Sequence, residues 1–236
     1  MTSTPAAPRS SDTLLPHDIR VLDVVAWVPY VVLSVVHVLA LALGSSLAGP
    51  TKLALMPLLA FAVLLTAPRL RPRIAIGLLL GAIAFSWLGD GAGAFFPGSP
   101  ELPLMLLFFG IAHLGYIAVF LRYAGVRRLP WWTLVYAAWW VGMLVTLGPH
   151  TGALFPAVAG YGLVLAGTAA TSARCHPVVA MGGAFFLSSD SILAFRLFLP
   201  DAMPDWTSPT VMATYTIGQG LIVWGVLRSL AKRESR

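Results

Sequence analysis

An apolar run at residues 178–199 decides the fold, and it carries the stretch FFLSSDSILAF (residues 185–195). The run is long enough to cross a bilayer, which takes about 20 helical residues. Asp190 lies inside it, where an ionisable side chain costs roughly 2.5–3.5 kcal/mol and usually serves a function. A second run carries FSWLGDGAGAFF (residues 85–96) and holds Asp90 in the same way. We therefore predict that both acids face one polar pocket inside a bundle of membrane helices.

The composition excludes a soluble protein. Of the 236 residues, 58% are hydrophobic and only 10% are charged, whereas a soluble domain carries roughly 25% charged residues. Because too few polar side chains remain to cover a water-facing surface, we predict an all-α integral membrane protein. The net charge of +6 comes from basic residues in short segments between apolar runs. That arrangement sets orientation in a membrane and does not indicate a nucleic-acid-binding surface.

Short polar segments divide the chain into apolar runs that predict a polytopic bundle of eight transmembrane helices in one domain, residues 21–230. A Pro- and Ser-rich tail, residues 1–20, is predicted to be disordered, and a basic cytoplasmic tail follows at residues 231–236. With both termini inside, every Lys and Arg except Lys52 and Arg196 falls on the inner side, which predicts an N-in, C-in topology. The predicted spans are 21–43, 52–67, 74–95, 102–123, 130–147, 152–171, 178–199 and 209–230.

Several polar side chains reach similar depths in this topology, at about 1.5 Å of rise per residue. Asp90 and Asp190 fall near or beyond the middle of the bilayer, in its outer half. Asp90 is expected to share a helical face with Ser86 and Ala94, which precede and follow it by one turn. Glycines beside both acids predict close helix packing. The other polar residues expected around the pocket are His113, Tyr116, Ser189, Tyr215 and Gln219.

Structural roles are also open to these residues. A membrane Asp can be a hydrogen-bonded packing element, Tyr215 and Gln219 can join helices, and Arg196 can extend to lipid headgroups. The sequence has no Cys/His cluster with zinc spacing, no nucleotide-binding loop and no nucleic-acid signature. Its one cysteine, Cys175, cannot form an internal disulfide. We predict no metal and no cofactor, and the oligomeric state stays open.

The order and spacing of short motifs in these runs resembles the YhhN-like lysoplasmalogenase family across nearly the whole membrane region. The family pattern has Lys-Pro at the start of the second span, whereas Leu53 follows Lys52 here. The positions that carry the resemblance are Thr51, Lys52, Leu55, Met56 and Pro57; Leu88, Gly89 and Asp90; Gly110, His113 and Tyr116; Gly182, Gly183, Ala184, Phe186, Ser189, Asp190 and Ser191; and Tyr215 with Gln219.

The resemblance implies an eight-helix hydrolase that cleaves the vinyl-ether bond of lysoplasmalogens, giving a fatty aldehyde and a glycerophospho-ethanolamine or -choline. It implies that Asp90 and Asp190 are the catalytic acids. Vinyl-ether hydrolysis needs one protonated and one ionised group, as with the two carboxyl groups of glycosidases. The residues expected to bind the substrate are Lys52 and Arg196 at its phosphate, and His113, Tyr116, Ser189, Tyr215 and Gln219 at the water or the glycerol oxygens.

Two other functions suit the same pocket. Paired membrane acids with a histidine also occur in proton-coupled transporters, and a non-catalytic protein could hold a lipid there without turnover. We expect a lysophospholipid and the lipid bilayer as partners, no nucleic acid, and a location in the bacterial cytoplasmic membrane.

Overall fold

The structure is a computed structural model that describes residues 16–67 and 70–234, with the backbone alone for residues 16–23 and 234. Over these residues it contains nine α-helices, one of them a single turn, and no β-strand. Seven segments are long and apolar enough to cross a membrane, so the prediction of an all-helical membrane protein is confirmed. The helices are α1 (Pro16–Ala42), α2 (Ala48–Thr66), α3 (Arg73–Asp90), α4 (Ala92–Phe95), α5 (Glu101–Val119), α6 (Leu134–Thr151), α7 (Phe155–Ser172), α8 (Pro177–Phe198) and α9 (Thr207–Glu234).

The fifth of these segments, Trp131–Ser172, is 42 residues long and holds both α6 and α7. That length is about twice what one span requires. The chain reverses at Gly152, whose φ of 52° lies in the left-handed region. The Trp140 indole Nε1 then donates to the Ala159 carbonyl oxygen at 3.0 Å, so α6 and α7 pack side by side. The count of eight spans and the N-in, C-in orientation stay predictions.

Several helix boundaries differ from the sequence-based ones. Helix α2 begins at Ala48 and not at residue 52, and α6 ends at Thr151 and not at residue 147. Two further differences concern the tail and the site. Helix α1 begins at Pro16, inside the predicted tail, and residues 1–15 of that tail lie outside the described residues. The third predicted span is wrong at its end, because α3 stops at Asp90 and not at residue 95. The Phe95 ring folds back to lie 4.7 Å from the Trp87 ring, centroid to centroid, over the bare backbone of Gly91. Ala94 therefore does not share a helical face with Asp90.

The long helices form a closed ring in the order α1, α2, α3, α5, α7, α8 and α9, and α9 packs back against α1. Helix α6 lies outside the ring, against α7 and α8. The ring is filled by fully buried side chains such as Leu55, Tyr116, Phe186 and Ile222. Because apolar side chains also cover the outside, the polar groups of the interior have only one another as partners.

Helices α8 and α9 approach most closely where glycine meets backbone. A Cβ on Gly182 would lie 2.8 Å from the backbone nitrogen of Ile222, and a Cβ on Gly218 would lie 2.8 Å from that of Phe186. Small residues permit such contact between membrane helices, as the glycines beside the acid predicted. The Ser189 Oγ also donates to the Val211 carbonyl oxygen at 2.9 Å. These contacts fix the acid-bearing part of α8 against the start of α9.

The two ends of the ring differ in charge. Arg73, Arg127, Arg174 and Arg233 lie at the end where α2, α5 and α7 finish and α9 ends, which we call the basic end. At the opposite end, α2, α5, α7 and α9 begin and α3 and α8 finish. We call this the acid end, because Asp90 is the last residue of α3 and lies there.

Candidate functional site

Asp90 and Asp190 line the same cavity at the acid end of the bundle. Its volume is about 130 Å³, enough for a few water molecules at about 30 Å³ each. Both carboxylates are nearly enclosed, with side-chain exposures of 4% for Asp90 and 9% for Asp190. Lys52, Ser189 and Tyr215 also line the cavity. Five of the nine sequence-predicted site residues thus meet at one place.

Apart from Tyr161, the rest of the cavity wall is apolar. It comes from the first turns of α5 and α9 and from the last two turns of α8, which surround the space between the two acids. A wall of this kind excludes water and suits a hydrocarbon chain. The apolar lining residues include Leu102, Met105, Leu106, Phe109, Leu193, Leu197, Val211 and Met212.

Asp90 accepts from one neutral donor and faces one cation. The Tyr215 Oη donates to Asp90 Oδ2 at 2.8 Å, and Lys52 Nζ lies 3.9 Å from Asp90 Oδ1. The last turn of a helix disfavours an anion, because the helix dipole is negative there. The hydroxyl of Tyr215 and the ammonium of Lys52 offset that effect. The Lys52 side chain is 36% exposed, so it connects the buried carboxylate to the outside of the bundle.

A chain of buried donors ends at Asp90. The Tyr116 hydroxyl donates to Gln219 Oε1 at 2.5 Å. The Gln219 amide nitrogen donates to Ser86 Oγ at 3.0 Å and to Tyr215 Oη at 3.4 Å. Because Tyr215 accepts from Gln219, its own proton is directed to Asp90. Tyr116 and Gln219 are therefore not in the cavity wall but behind it, and they orient Tyr215.

Asp190 has partners of a different kind. The Tyr161 hydroxyl donates to Asp190 Oδ2, and His113 Nε2 lies 3.8 Å from the same oxygen. His113 Nε2 also lies 3.3 Å from Tyr161 Oη, and its Nδ1 lies 3.0 Å from Thr168 Oγ1. His113, which is fully buried, thus lies behind the cavity as a second neighbour of Asp190. No Lys or Arg is among the partners of Asp190 that the structure describes.

Arg196 is placed differently from the other predicted site residues. Its Nη1 donates to the Pro204 carbonyl oxygen at 3.2 Å and to Thr207 Oγ1 at 2.5 Å. Pro204 belongs to the connection between α8 and α9 and Thr207 begins α9, and Arg196 is not among the described residues that line the cavity. In this conformation Arg196 ties the end of α8 to the start of α9, and its contact with the substrate phosphate stays a prediction.

Tyr161 is a site residue that the sequence reasoning missed. It lines the cavity and bonds to Asp190 from α7, a helix without an acidic or basic residue in its span. A signal was present, because a tyrosine between Gly160 and Gly162 in an apolar run must find a partner for its hydroxyl. For metals, nowhere in the described chain do three or more His, Cys, Asp or Glu residues come together.

Comparison with known proteins gives one match. The model of the YhhN family matches residues 47–226, a stretch that begins just before α2 and ends within α9. It includes Lys52, both acids and Tyr161, and it leaves α1 outside. No curated protein and no solved structure matches the chain.

Proposed function

This chain belongs to the YhhN family, and we propose that it is a membrane hydrolase that cleaves the vinyl-ether bond of a lysoplasmalogen. The observation that carries the proposal is the pair of carboxyl groups on one apolar-walled cavity, each with a different set of partners. Vinyl-ether hydrolysis needs a proton donor on one side of the bond and an anion on the other. The cavity offers both, next to a wall that suits a hydrocarbon chain.

In the proposed reaction a carboxylic acid protonates the β-carbon of the vinyl ether. The π electrons of the double bond form the new C–H bond, and the positive charge is shared between the α-carbon and the ether oxygen. A water molecule adds to the α-carbon and gives its proton to the second carboxylate, which leaves a hemiacetal. The hemiacetal then collapses to a fatty aldehyde and a free glycerol hydroxyl. This is the two-carboxylate chemistry of glycoside hydrolysis applied to an alkenyl ether.

We assign the proton donor to Asp190. Thr168 Oγ1 donates to the Val164 carbonyl oxygen at 3.0 Å, so it accepts from His113 Nδ1. If His113 carries no second proton, Asp190 must be protonated for the pair Asp190–Tyr161 and the pair Tyr161–His113 both to be hydrogen-bonded. If His113 does carry a second proton, Asp190 is ionised. Either way the group of three holds one mobile proton, which Tyr161 can pass to Asp190 for delivery.

We assign the anion to Asp90. It is the acceptor at the end of a chain of donors, and Lys52 lies beside it with opposite charge. An ionised Asp90 would stabilise the oxocarbenium ion and then take a proton from the attacking water. In the collapse of the hemiacetal, Asp90 returns that proton to the leaving glycerol oxygen while Asp190 accepts the hydroxyl proton. Both groups are then back in their starting states.

The substrate would enter from the acid end with its alkenyl chain along the apolar wall. Lys52 has three ammonium donors. Its ammonium group faces Asp90 and its side chain is 36% exposed, and it is the proposed contact for the substrate phosphate. Ser189, which lines the cavity, would face the glycerol oxygens. We also propose eight spans with both termini in the cytoplasm of a bacterial cell. The acid end then faces outward in the cytoplasmic membrane.

The test is release of fatty aldehyde from a lysoplasmalogen by the full chain purified in detergent. Asp90→Asn and Asp190→Asn should each lower kcat/KM at least 100-fold. Asp201→Asn is the matched control, because this acid is exposed in the connection after α8, and it should keep wild-type activity. Full activity in both site variants would overturn the mechanism. No aldehyde from the wild type, together with proton flux in liposomes, would favour a transporter instead.

A further inference from the structure

Two further cavities lie along α9, and neither acid lines them. The first is a pocket of about 1020 Å³ at the basic end, lined by Arg228, Lys232, Arg233 and His176 among others. The Arg228 guanidinium lies over the Trp224 ring, 4.2 Å from the ring centroid. No acidic residue is among the lining residues that the structure describes.

The arginines of this pocket keep donors that the described chain does not use. An arginine side chain has five N–H donors. Arg228 forms no hydrogen bond or ion pair with any described residue, and Arg233 donates to the Gly125 carbonyl oxygen at 2.7 Å. Two such guanidinium groups on one pocket suit a phosphate, which accepts paired N–H donors. Basic pockets at this level of a membrane protein bind anionic lipid headgroups.

The second cavity is an apolar groove of about 500 Å³ between α1 and α9. Its hydroxyl groups already have partners: Tyr30 Oη donates to the Thr216 carbonyl oxygen, and Ser34 Oγ donates to that of Tyr30, both at 2.7 Å. The groove thus presents mostly hydrocarbon to its occupant, and the indoles of Trp27 and Trp224 are its other polar groups. Water is not stable in such a space, so the occupant must be apolar.

The groove is long enough to hold one acyl chain. It extends along α1 from Trp27 to Leu39, which is roughly 18 Å at about 1.5 Å per residue. One leaflet contributes about 15 Å to the hydrocarbon core of a bilayer, so an acyl chain of that leaflet fits within the groove. Trp224 lines both the groove and the basic pocket, so the two cavities meet at one side chain. A headgroup in the pocket would have its acyl chain in the groove.

We propose that these two cavities form a binding site for an anionic diacyl phospholipid of the leaflet at the basic end. The phosphate binds Arg228 and Arg233, and one acyl chain lies between α1 and α9. The site is distinct from the cavity of the two acids and does not rest on the proposed hydrolase activity. Helix α1, Arg228 and Arg233 lie outside the YhhN match, whereas the α9 wall of the groove, from Ala213 to Trp224, lies inside it.

The experiment measures the melting temperature of the full chain, purified in detergent and stripped of lipid. Dioleoyl phosphatidylglycerol should raise it by about 5 °C or more at saturation, and dioleoyl phosphatidylcholine should not. The double variant Arg228→Gln/Arg233→Gln should lose the difference between the two lipids. Arg128→Gln, which removes one positive charge from an exposed position outside the pocket, should keep it.

A second variant separates the groove from the pocket. Ala213→Phe places a ring in the groove and leaves every arginine in place, and it should also abolish the shift. Because each lipid is compared with the other on the same variant, a lower starting stability does not obscure the result.

Three outcomes overturn the proposal. The first is an equal shift in melting temperature with both lipids, or no shift with either. The second is an equal shift with inorganic phosphate alone. The third is a loss of the lipid difference in Arg128→Gln as large as in the double variant. A wild-type dimer that Ala213→Phe converts to a monomer, without a lipid-specific shift, would assign the groove to a second copy of the chain.

Discussion

Replacing Tyr215 with Phe removes one hydroxyl from the site and leaves the ring in place. That hydroxyl donates to Asp90 Oδ2 at 2.8 Å, and the ring packs edge-on against Phe186 with centroids 5.3 Å apart. A hydrogen bond to a charged group contributes about 1.5–3 kcal/mol. If the reaction needs Asp90 as an anion, losing this bond should lower kcat/KM by about 10-fold to 150-fold, at about 1.4 kcal/mol per tenfold.

Tyr30→Phe is the matched control. Tyr30 and Tyr215 are both 3% exposed, and each makes one described hydrogen bond as a donor. The Tyr30 partner is the neutral carbonyl oxygen of Thr216, which lies outside the cavity. Tyr30→Phe loses one buried hydrogen bond, and Tyr215→Phe also loses the 3.4 Å bond that Tyr215 accepts from Gln219. Because a neutral hydrogen bond contributes about 0.5–1.5 kcal/mol, both variants should melt a few degrees lower. Only Tyr215→Phe should lose activity beyond about twofold.

The assay follows fatty aldehyde from a lysoplasmalogen through a coupled aldehyde dehydrogenase, over a range of substrate concentrations, with melting temperatures taken in the same detergent. Activity of Tyr215→Phe within twofold of the wild type would refute the role of Asp90 as an anion held by this donor. An equal loss in both variants would show that the effect is a general consequence of weaker packing.

Three further changes test the relay, the helix packing and the buried thiol. Tyr161→Phe removes the hydroxyl between Asp190 and the histidine, so kcat/KM should fall at least tenfold, while Tyr136→Phe in α6 should have no effect; a fully active Tyr161→Phe contradicts the relay. Gly218→Ala places a Cβ 2.8 Å from a backbone nitrogen and should destabilise the protein by about 1–3 kcal/mol. Gly142→Ala has open space and should not, and equal melting temperatures would contradict the close contact. Cys175, in the connection between α7 and α8, is buried, and burial raises the pKa of its thiol to about 12. The neutral thiol therefore persists above the ordinary cysteine pKa of about 8.5, and maleimide should label Cys175 slowly at pH 7.5 and at pH 9 until the protein is unfolded. Rapid labelling of the folded protein would contradict this burial.

The fold class and the family could be predicted from the sequence, because both depend on features that are local in the chain. Run length and charge density are sufficient to predict an all-helical membrane protein. The YhhN model matches residues 47–226, the part of the chain that holds the motifs. The depths of Asp90 and Asp190 that the sequence predicts also place both residues at one end of the bundle. Their meeting on one cavity is a further fact of the structure.

The side on which a residue lies could not be predicted, because it depends on helix rotation and on breaks in the chain. The sequence around Asp90 is rich in glycine and is compatible with a helix that continues or one that stops. The contact between Phe95 and Trp87 decides in favour of stopping. Arg196 could likewise face the cavity or the α8–α9 connection, and its two acceptors, Pro204 in that connection and Thr207 at the start of α9, decide the matter.

The difference between the two acids follows from where each lies on its helix. Because α3 stops at Asp90, this carboxylate lies at the level where α2 begins, and Lys52 in the second turn of α2 can reach it. Asp190 lies inside α8, where the neighbouring helices present only apolar or neutral side chains and one histidine. A cation can reach the first acid without being buried, whereas at the second it would have to be buried in the bundle at high cost. The end of one helix therefore gives two identical side chains different partners, a lysine and a tyrosine at Asp90 and a histidine and a tyrosine at Asp190.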